Sequence, residues 1–245
     1  MLPEHFYFTS AGWLGYILYM PFGLLAAWIV YRYALRRIPL SPVRWLITPI
    51  VSVSLLTLPL WEALAISHEA ERLCKEQGGL HVYKTVETDG FLGSSDANFW
   101  GKYGFKYVEH GQYYKDGIFT GIKYRYLIED GKKKKNIVNN FISSYQLQRY
   151  SKNNDNNFRT TRYWISDRIN NHIISELIYF SIYPSLFDTF FLRMLPVEFN
   201  PWICGNEASE GKGVYNRGKK KYLYSSIDLV KATLKPIKRR EGEAQ

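Results

Sequence analysis

Two long apolar runs lie near the beginning of the chain. Residues 12–31 contain no charged side chain, and residues 45–61 contain none either, with apolar character continuing past Glu62 to residue 66. Because a helix rises about 1.5 Å per residue, roughly 20 residues cross the hydrocarbon core of a bilayer, which is about 30 Å thick. The pattern predicts transmembrane helices at 12–31 and 45–66. Glu62 is expected at the membrane boundary, with no role assigned.

Helical spacing of apolar residues continues beyond the second run. Ala63, Ile66, Ala70 and Leu73 recur at intervals of three or four residues, and a pair of glycines follows. Glycine commonly ends a helix because it adopts the left-handed backbone conformation at little cost. We therefore predict a juxtamembrane helix at 67–79.

From residue 80 onward, apolar and polar residues alternate with the period of two that is typical of strands. Turn sequences such as EDGK, KNNDNN and RINNH separate the segments, and HGQ at 110–112 is predicted as another turn. The predicted strands are 80–86, 103–109, 122–128, 140–150, 159–166 and 173–182. Short turns join antiparallel neighbours, so we expect an antiparallel meander.

Short helices and a basic C-terminal segment complete the predicted fold. Short helices are expected at 184–195 and 226–234, and the segment 205–245 is basic and expected to be partly mobile. The fold class is an α+β membrane protein in which a two-helix transmembrane hairpin precedes an antiparallel β-rich extracytoplasmic domain with a few short helices, at 80–204. The 20 Tyr, 14 Phe and 7 Trp residues suit both strands and membrane interfaces.

Basic residues predict how the spans are oriented. The connection 32–44 contains Arg32, Arg36, Arg37 and Arg44, whereas the first eleven residues contain no Lys or Arg. Short basic loops stay in the cytoplasm, so this connection is predicted to be cytoplasmic and both termini to be periplasmic, with 1–11 a short exported segment. Three basic residues soon after the second span oppose this orientation. A cleaved signal peptide is not indicated, because its first residues should be positively charged.

The chain contains two cysteines, Cys74 and Cys204. In an exported domain they would meet an oxidising compartment, so we predict that they form a disulfide. Closing a loop of about 130 residues would contribute on the order of 5 kcal/mol in the chain-entropy model. The alternative is two separate buried thiols. A metal site is not predicted, because there is no C-x-x-C and the histidines are scattered.

The residues around Cys74 resemble a known pattern. The chain reads C-x3-GG-x-x-VY-x-TV from Cys74 to Val86, followed by Gly90 and Phe91, with PWICG at 201–205 as a weaker similarity. This resembles uncharacterised small two-helix inner-membrane proteins of Gram-negative bacteria. The resemblance covers about twenty residues. It implies an inner-membrane protein with a periplasmic domain, and it implies no activity.

Lysine runs are the candidate binding residues. The net charge is +10, and the clustered lysines are Lys132, Lys133, Lys134, Lys135, Lys219, Lys220 and Lys221. The first run follows a DG turn and is predicted at the tip of a hairpin, where such charges are usually solvated. The functional alternative is contact with anionic lipid headgroups or an acidic glycan. Nucleic acid is not an expected partner of a domain outside the cytoplasm.

These observations give two function hypotheses. The first is a membrane-anchored periplasmic binding or accessory protein of the cell envelope that is not an enzyme and contacts the lipid bilayer and another envelope protein. It would be a subunit or adaptor of a membrane complex, or an immunity-type protein. The alternative is an envelope enzyme acting on lipid or glycan, with a site assembled from dispersed carboxylates and His81, His110 and His172. No catalytic residue, cofactor or metal is assigned.

Overall fold

The computed structural model describes residues 3, 5–33, 41–113, 119–129, 132–155, 157–195, 199–205, 214–216, 219–221 and 224–237. These residues form two compact units. The helical unit comprises Met1–Glu76, Asn153–Arg159 and Phe180–Cys204, and the sheet unit comprises Gln77–Lys152, Thr160–Tyr179 and Gly205–Gln245. Two segments of the predicted domain at 80–204, residues 153–159 and 180–204, belong to the helical unit.

The described residues contain five helices and thirteen strands. The helices are α1 (Ser10–Tyr33), α2 (Ser41–Glu76), α3 (Ala97–Gly101), α4 (Leu186–Met194) and α5 (Ser226–Thr233). The strands are β1 (Gly79–Val82), β2 (Val86–Thr88), β3 (Gly90–Leu92), β4 (Tyr107–Tyr113), β5 (Phe119–Glu129), β6 (Lys132–Val138), β7 (Tyr145–Asn153), β8 (Phe158–Asp167), β9 (Ile173–Ile182), β10 (Trp202–Cys204), β11 (Val214–Asn216), β12 (Lys219–Lys221) and β13 (Leu234–Pro236).

The helical unit contains two helices that are long and apolar enough to cross a membrane, α1 and α2 from Ile47 onward, each with a mean hydropathy of 1.7. Most of their apolar side chains are exposed on the surface of the unit. Helices of this length with exposed apolar side chains suit the hydrocarbon core of a bilayer, so they indicate a membrane protein. The predicted second span and juxtamembrane helix are one continuous helix. Most of the basic connection, residues 34–40, lies outside the described residues.

A glycine and a tyrosine hydroxyl contribute to the contact between α1 and α2. A Cβ atom at Gly23 of α1 would lie 3.1 Å from the side chain of Leu56, so the glycine permits close packing of the helices. Pro59 has no N–H with which to bond the carbonyl of Leu55 one turn earlier. The hydroxyl of Tyr19 donates to that carbonyl at 2.8 Å. A contact between the two helices thereby satisfies the backbone group that the proline leaves open.

The structure places Cys74 and Cys204 at disulfide distance within the helical unit, as the sequence predicts. Their Cα atoms are 5.8 Å apart, inside the range of natural disulfides. Cys74 lies near the end of α2 and Cys204 ends β10, which pairs antiparallel with residues 180–182 of β9. The bond therefore ties the end of the long helix to a segment 130 residues later.

The sheet unit is built on a mixed sheet whose strand order is β1-β9-β8-β7-β3-β4-β5-β6. Its hydrophobic core includes Phe91 of β3, Val108 of β4 and Leu177 of β9, together with Trp100 of α3 and Leu229 of α5. The core thus places α3 and α5 against side chains of the sheet. Capping side chains fix where these helices begin: Asp96 accepts from the Phe99 N–H, and Ser225 with Asp228 forms a capping box.

The α+β class, most strands and the mostly antiparallel character of the β-rich domain are confirmed, but the sheet is not a single meander, because β3 lies between β7 and β4. The predicted strands at 122–128, 159–166 and 173–182 and both short helices agree with β5, β8, β9, α4 and α5. The sequence missed β3, which runs parallel to β4 and to β7. Three residues are too few to show alternation, so this strand left no periodic signal. The predicted HGQ turn is wrong, since residues 110–112 lie inside β4.

Candidate ligand-binding cleft

A cleft opens in the sheet unit where the short strand β3 ends. Leu92 of β3 lies opposite Glu109 of β4 on one side and Gln146 of β7 on the other. Both neighbouring strands continue past this level, β4 as far as Tyr113. No described strand fills the space between β4 and β7 beyond Leu92. The result is an open cleft of about 780 Å³.

Gly93 takes the chain out of the sheet at the closed end of the cleft. Its φ of +122° lies in a region that side chains rarely adopt, and its N–H donates to the carbonyl of Glu109 at 2.8 Å. A Cβ atom at this position would lie 2.5 Å from the carbonyl oxygen of Leu147. Glycine is therefore needed here both for backbone conformation and for the close approach to β7.

One wall of the cleft is the edge of β7. Four consecutive residues, Gln146–Arg149, line it. Successive side chains of a strand point to opposite faces of the sheet, so four in a row meet a cavity only along the strand's edge. This wall therefore presents backbone N–H and C=O groups of β7, with the side chains of Gln146 and Gln148 on one face and that of Arg149 on the other. Trp164 of β8 also lines the cleft.

The opposite wall is a bulged stretch of β4 with aromatic rings. The register of β4 against β5 shifts between Gly111 and Tyr113. The ring of Tyr113 lies 6.2 Å from that of His110 and 5.5 Å from that of Phe119. A Cβ atom at Gly111 would lie 2.8 Å from the Phe119 ring, so glycine lets the ring lie over the strand. Burial lowers the pKa of His110 below its usual value, which favours a neutral imidazole at pH 7.

A third wall comes from the loop between β6 and β7. Phe141 of this loop lines the cleft, and the guanidinium of Arg168 lies 5.7 Å from the centre of its ring. The Arg168 Nη1 donates to the carbonyl of Ser143 at 2.7 Å, and its backbone N–H donates to the carbonyl of Ser144 at 2.8 Å. The loop thus fixes the position of one of the two arginines of the cleft.

A buried carboxylate holds that loop against the sheet. Glu109 is fully buried and accepts hydrogen bonds from the N–H of Ile142 at 3.1 Å and of Ser143 at 2.9 Å. The Ser143 hydroxyl donates to it at 2.6 Å and the Nε of Arg125 at 2.9 Å. A buried charge is tolerated when it is paired and hydrogen-bonded, and here the donors come mainly from the loop. Glu109 therefore positions the wall that carries Phe141.

The chemistry of the lining favours an anionic ligand with flat faces. The described lining residues include aromatic rings, amides and two arginines, and none of them is a carboxylate. Guanidinium groups recognise carboxylates and phosphates through paired hydrogen bonds, and aromatic faces cover flat apolar surfaces. The volume lies within the range of small-molecule sites.

The second buried carboxylate of the sheet unit also accepts hydrogen bonds from neighbouring side chains. Glu176 of β9 accepts from the Tyr83 hydroxyl and from Arg162, whose Nε lies 2.6 Å away. The hydrogen bond to Glu176, together with burial, raises the pKa of Tyr83. Glu109 lies on β4 and Glu176 on β9, and three strands of the sheet separate them, so the structure does not bring them together as the paired carboxylates of a hydrolase.

The first lysine run begins the second strand of the β5–β6 hairpin, directly after its turn. Lys132–Lys135 begin β6, which ends the sheet, and the Nζ atoms of Lys133 and Lys135 lie 4.5 and 3.8 Å from the ring centres of Tyr126 and Tyr124. Lysines on an edge strand hinder pairing with a second chain, which gives them a structural use. The second run, Lys219–Lys221, forms β12 in a separate two-stranded sheet, and its side chains lie outside the described residues.

The three histidines of the enzyme hypothesis lie on different elements. His81 is on β1, His110 is on β4, and His172 precedes β9. Within the described part of the chain no group of three or more His, Cys, Asp and Glu side chains could hold a metal ion. His110 is the member that lines the cleft. Sequence pattern did not place His110 on a strand or in a cleft, because the stretch around it resembles a turn.

No protein-family model, no curated protein and no solved structure matches the chain.

Proposed function

We propose that this chain is a membrane-anchored, non-catalytic binding or accessory protein of the Gram-negative cell envelope, and that its cleft binds an anionic glycan. An accessory subunit that holds a glycan is the form of this role that the cleft supports best. The observation that carries the proposal is a lining of rings, amides and two arginines without a described carboxylate. Such a lining can hold a charged sugar, and its described residues lack the acid and base pair that would cleave one.

The location of the domain is part of the proposal. The disulfide supports an oxidising compartment, since cytosolic thiols are kept reduced. The arginines between the two apolar helices support a cytoplasmic connection. The sheet unit, with its cleft, and both termini would then be periplasmic, and the membrane would be the bacterial inner membrane.

Calorimetric titration of the full-length protein in lipid nanodiscs tests the proposal. The probe is an oligogalacturonate, whose sugars carry carboxylates, and the comparison is an uncharged maltooligosaccharide of the same length. We expect the carboxylated sugar to bind and the neutral one to bind at least tenfold more weakly. A hydrogen bond to a charged group contributes about 1.5–3 kcal/mol, so Arg149→Gln should weaken binding by about 10- to 100-fold.

A matched variant separates the cleft from general basicity. Lys152→Gln removes one positive charge from β7 outside the cleft lining, and it should leave affinity within about threefold of the wild type. The proposal is wrong if neither sugar binds, or if both bind equally. It is also wrong if Arg149→Gln has no effect while Lys133→Gln weakens binding, because the site would then be the edge strand β6.

A further inference from the structure

Helix α4 packs on the first half of α1 within the helical unit. A Cβ atom at Gly15 would lie 2.3 Å from the ring of Phe191, and the ring of Phe187 lies 6.0 Å from that of Tyr19. At Gly12 a Cβ atom would lie 2.6 Å from a carboxylate oxygen of Asp188. The glycines on this face of α1 therefore let a nine-residue helix lie directly against an apolar helix.

Polar contacts anchor the start of α4 beside both long helices. The fully buried carboxylate of Asp188 accepts from the backbone N–H of Thr9 at 2.8 Å and from the Thr9 hydroxyl. The carboxylate of Glu62 on α2 accepts from the N–H of Leu186 at 2.9 Å. The first N–H groups of a helix have no partner within the helix and favour negative charge. Glu62 thus supplies a partner from the end of the apolar run of α2.

The side of α4 that does not face α1 is an exposed apolar stripe. Leu186, Phe190 and Met194 follow one another at intervals of four, and their exposed fractions are 73%, 55% and 66%. Residues four apart share one face of a helix, so these three side chains form a continuous surface. Arg193, also exposed, borders the stripe.

Neighbouring residues indicate which environment this stripe meets. Trp13 of α1 adjoins Gly12, and Trp61 of α2 adjoins Glu62; both indoles are exposed, by 46% and 72%. Tryptophan is enriched at the boundary between headgroups and acyl chains. The apolar stripe therefore continues the exposed apolar surface of the two long helices at the level where a bilayer would end.

We propose that α4 is an interfacial membrane helix, whose Leu186–Phe190–Met194 stripe lies in the boundary between headgroups and acyl chains of the bilayer that α1 and α2 cross. Its amphipathic pattern, with a basic residue beside the stripe, is that of helices lying in the interface plane. Arg193 would reach headgroup phosphates while its stem stays in the apolar layer. The anchor is then a three-helix assembly in which α4 fixes how deeply α1 enters the membrane.

Spin-label accessibility in lipid nanodiscs tests this placement in the full-length protein. Single cysteines replace Leu186, Phe190 or Met194 and carry a nitroxide label, and the native cysteines stay joined because no reductant is used. Leu18→Cys, on the exposed face of α1, is the hydrocarbon reference, and Asn139→Cys, an exposed loop residue of the sheet unit, is the aqueous reference.

The expected result is that all three α4 labels collide with dissolved oxygen more than with a water-soluble nickel chelate, as the Leu18 label does. Their ratio of oxygen to nickel collisions should exceed that of the Asn139 label by at least fivefold. Ratios equal to that of the Asn139 label would overturn the proposal, because α4 would then face water. Protection from both reagents would also overturn it, since a protein partner would then cover the stripe.

Discussion

Replacing Glu109 by Gln isolates the group that builds one wall of the cleft. The two side chains have nearly the same shape, so the change removes the charge and turns one acceptor oxygen into a donor NH₂. That NH₂ would face donors from Ile142, Ser143 and Arg125, all of which now approach the carboxylate. At least one of these donors would lose its acceptor.

The free-energy cost of Glu109→Gln follows from the burial of the ion pair between Glu109 and Arg125. Removing one partner of a buried ion pair costs about 3–5 kcal/mol. The Arg125 side chain is 20% exposed and can regain some hydration, whereas Glu109 is 0% exposed, so we take the lower end, about 3 kcal/mol. Since 1.4 kcal/mol is a factor of ten, local opening of the loop should become about 100-fold more frequent.

Hydrogen–deuterium exchange of the full-length protein measures this opening directly, because the amides of Ile142 and Ser143 are themselves donors to Glu109. Exchange in residues 140–144 should accelerate by about 100-fold in Glu109→Gln, while α5 stays within threefold of the wild type. Glu87→Gln makes the same chemical change at an exposed position of β2 and should leave both segments unchanged. If residues 140–144 of Glu109→Gln exchange as slowly as in the wild type, Glu109 does not hold the loop and the reasoning fails.

Three further outcomes are expected. Cys74→Ser should lower the thermal midpoint in mild detergent without reductant. The disulfide to Cys204 closes a 130-residue loop and should contribute about 2–5 kcal/mol to stability. An unchanged midpoint would exclude the bond. Gly93→Ala should destabilise the sheet unit by about 1–3 kcal/mol, because the position has a positive φ and the added Cβ would meet Leu147. Hydrogen exchange should become faster throughout β3 and β7, and exchange at the wild-type rate would contradict the close approach. Burial lowers the pKa of His110 in the folded state. The stability associated with its neutral imidazole is therefore complete above the ordinary pKa of 6.5 and is lost as the pH falls below that value. His110→Asn should therefore show a smaller fall in thermal midpoint between pH 7.5 and 5.5 than the wild type, and an equal fall would contradict this origin.

The candidate cleft could not be predicted from the sequence. Its described lining residues extend from Leu92 to Arg168 and come from five strands and three loops. The lysine runs are contiguous in the sequence, whereas the arginines of the cleft, Arg149 and Arg168, are isolated in it. Their proximity depends on which strands are neighbours, and periodicity carries no information about strand order.

The local sequence pattern by itself determined the long apolar helices and the long strands of this protein. Twenty uncharged residues predict a helix that crosses a bilayer wherever they occur, and alternation over ten residues predicts a strand such as β8 or β9, since both signals arise from neighbouring side chains. Tertiary structure decided the rest. It inserted the three-residue strand β3 in parallel between β4 and β7, opened the cleft beyond it, buried Glu109 beneath a loop, and seated α4 against the glycines of α1. Each of these features depends on contacts between residues that are far apart in the sequence. Such contacts form only when the chain folds, so a local pattern carries no signal of them.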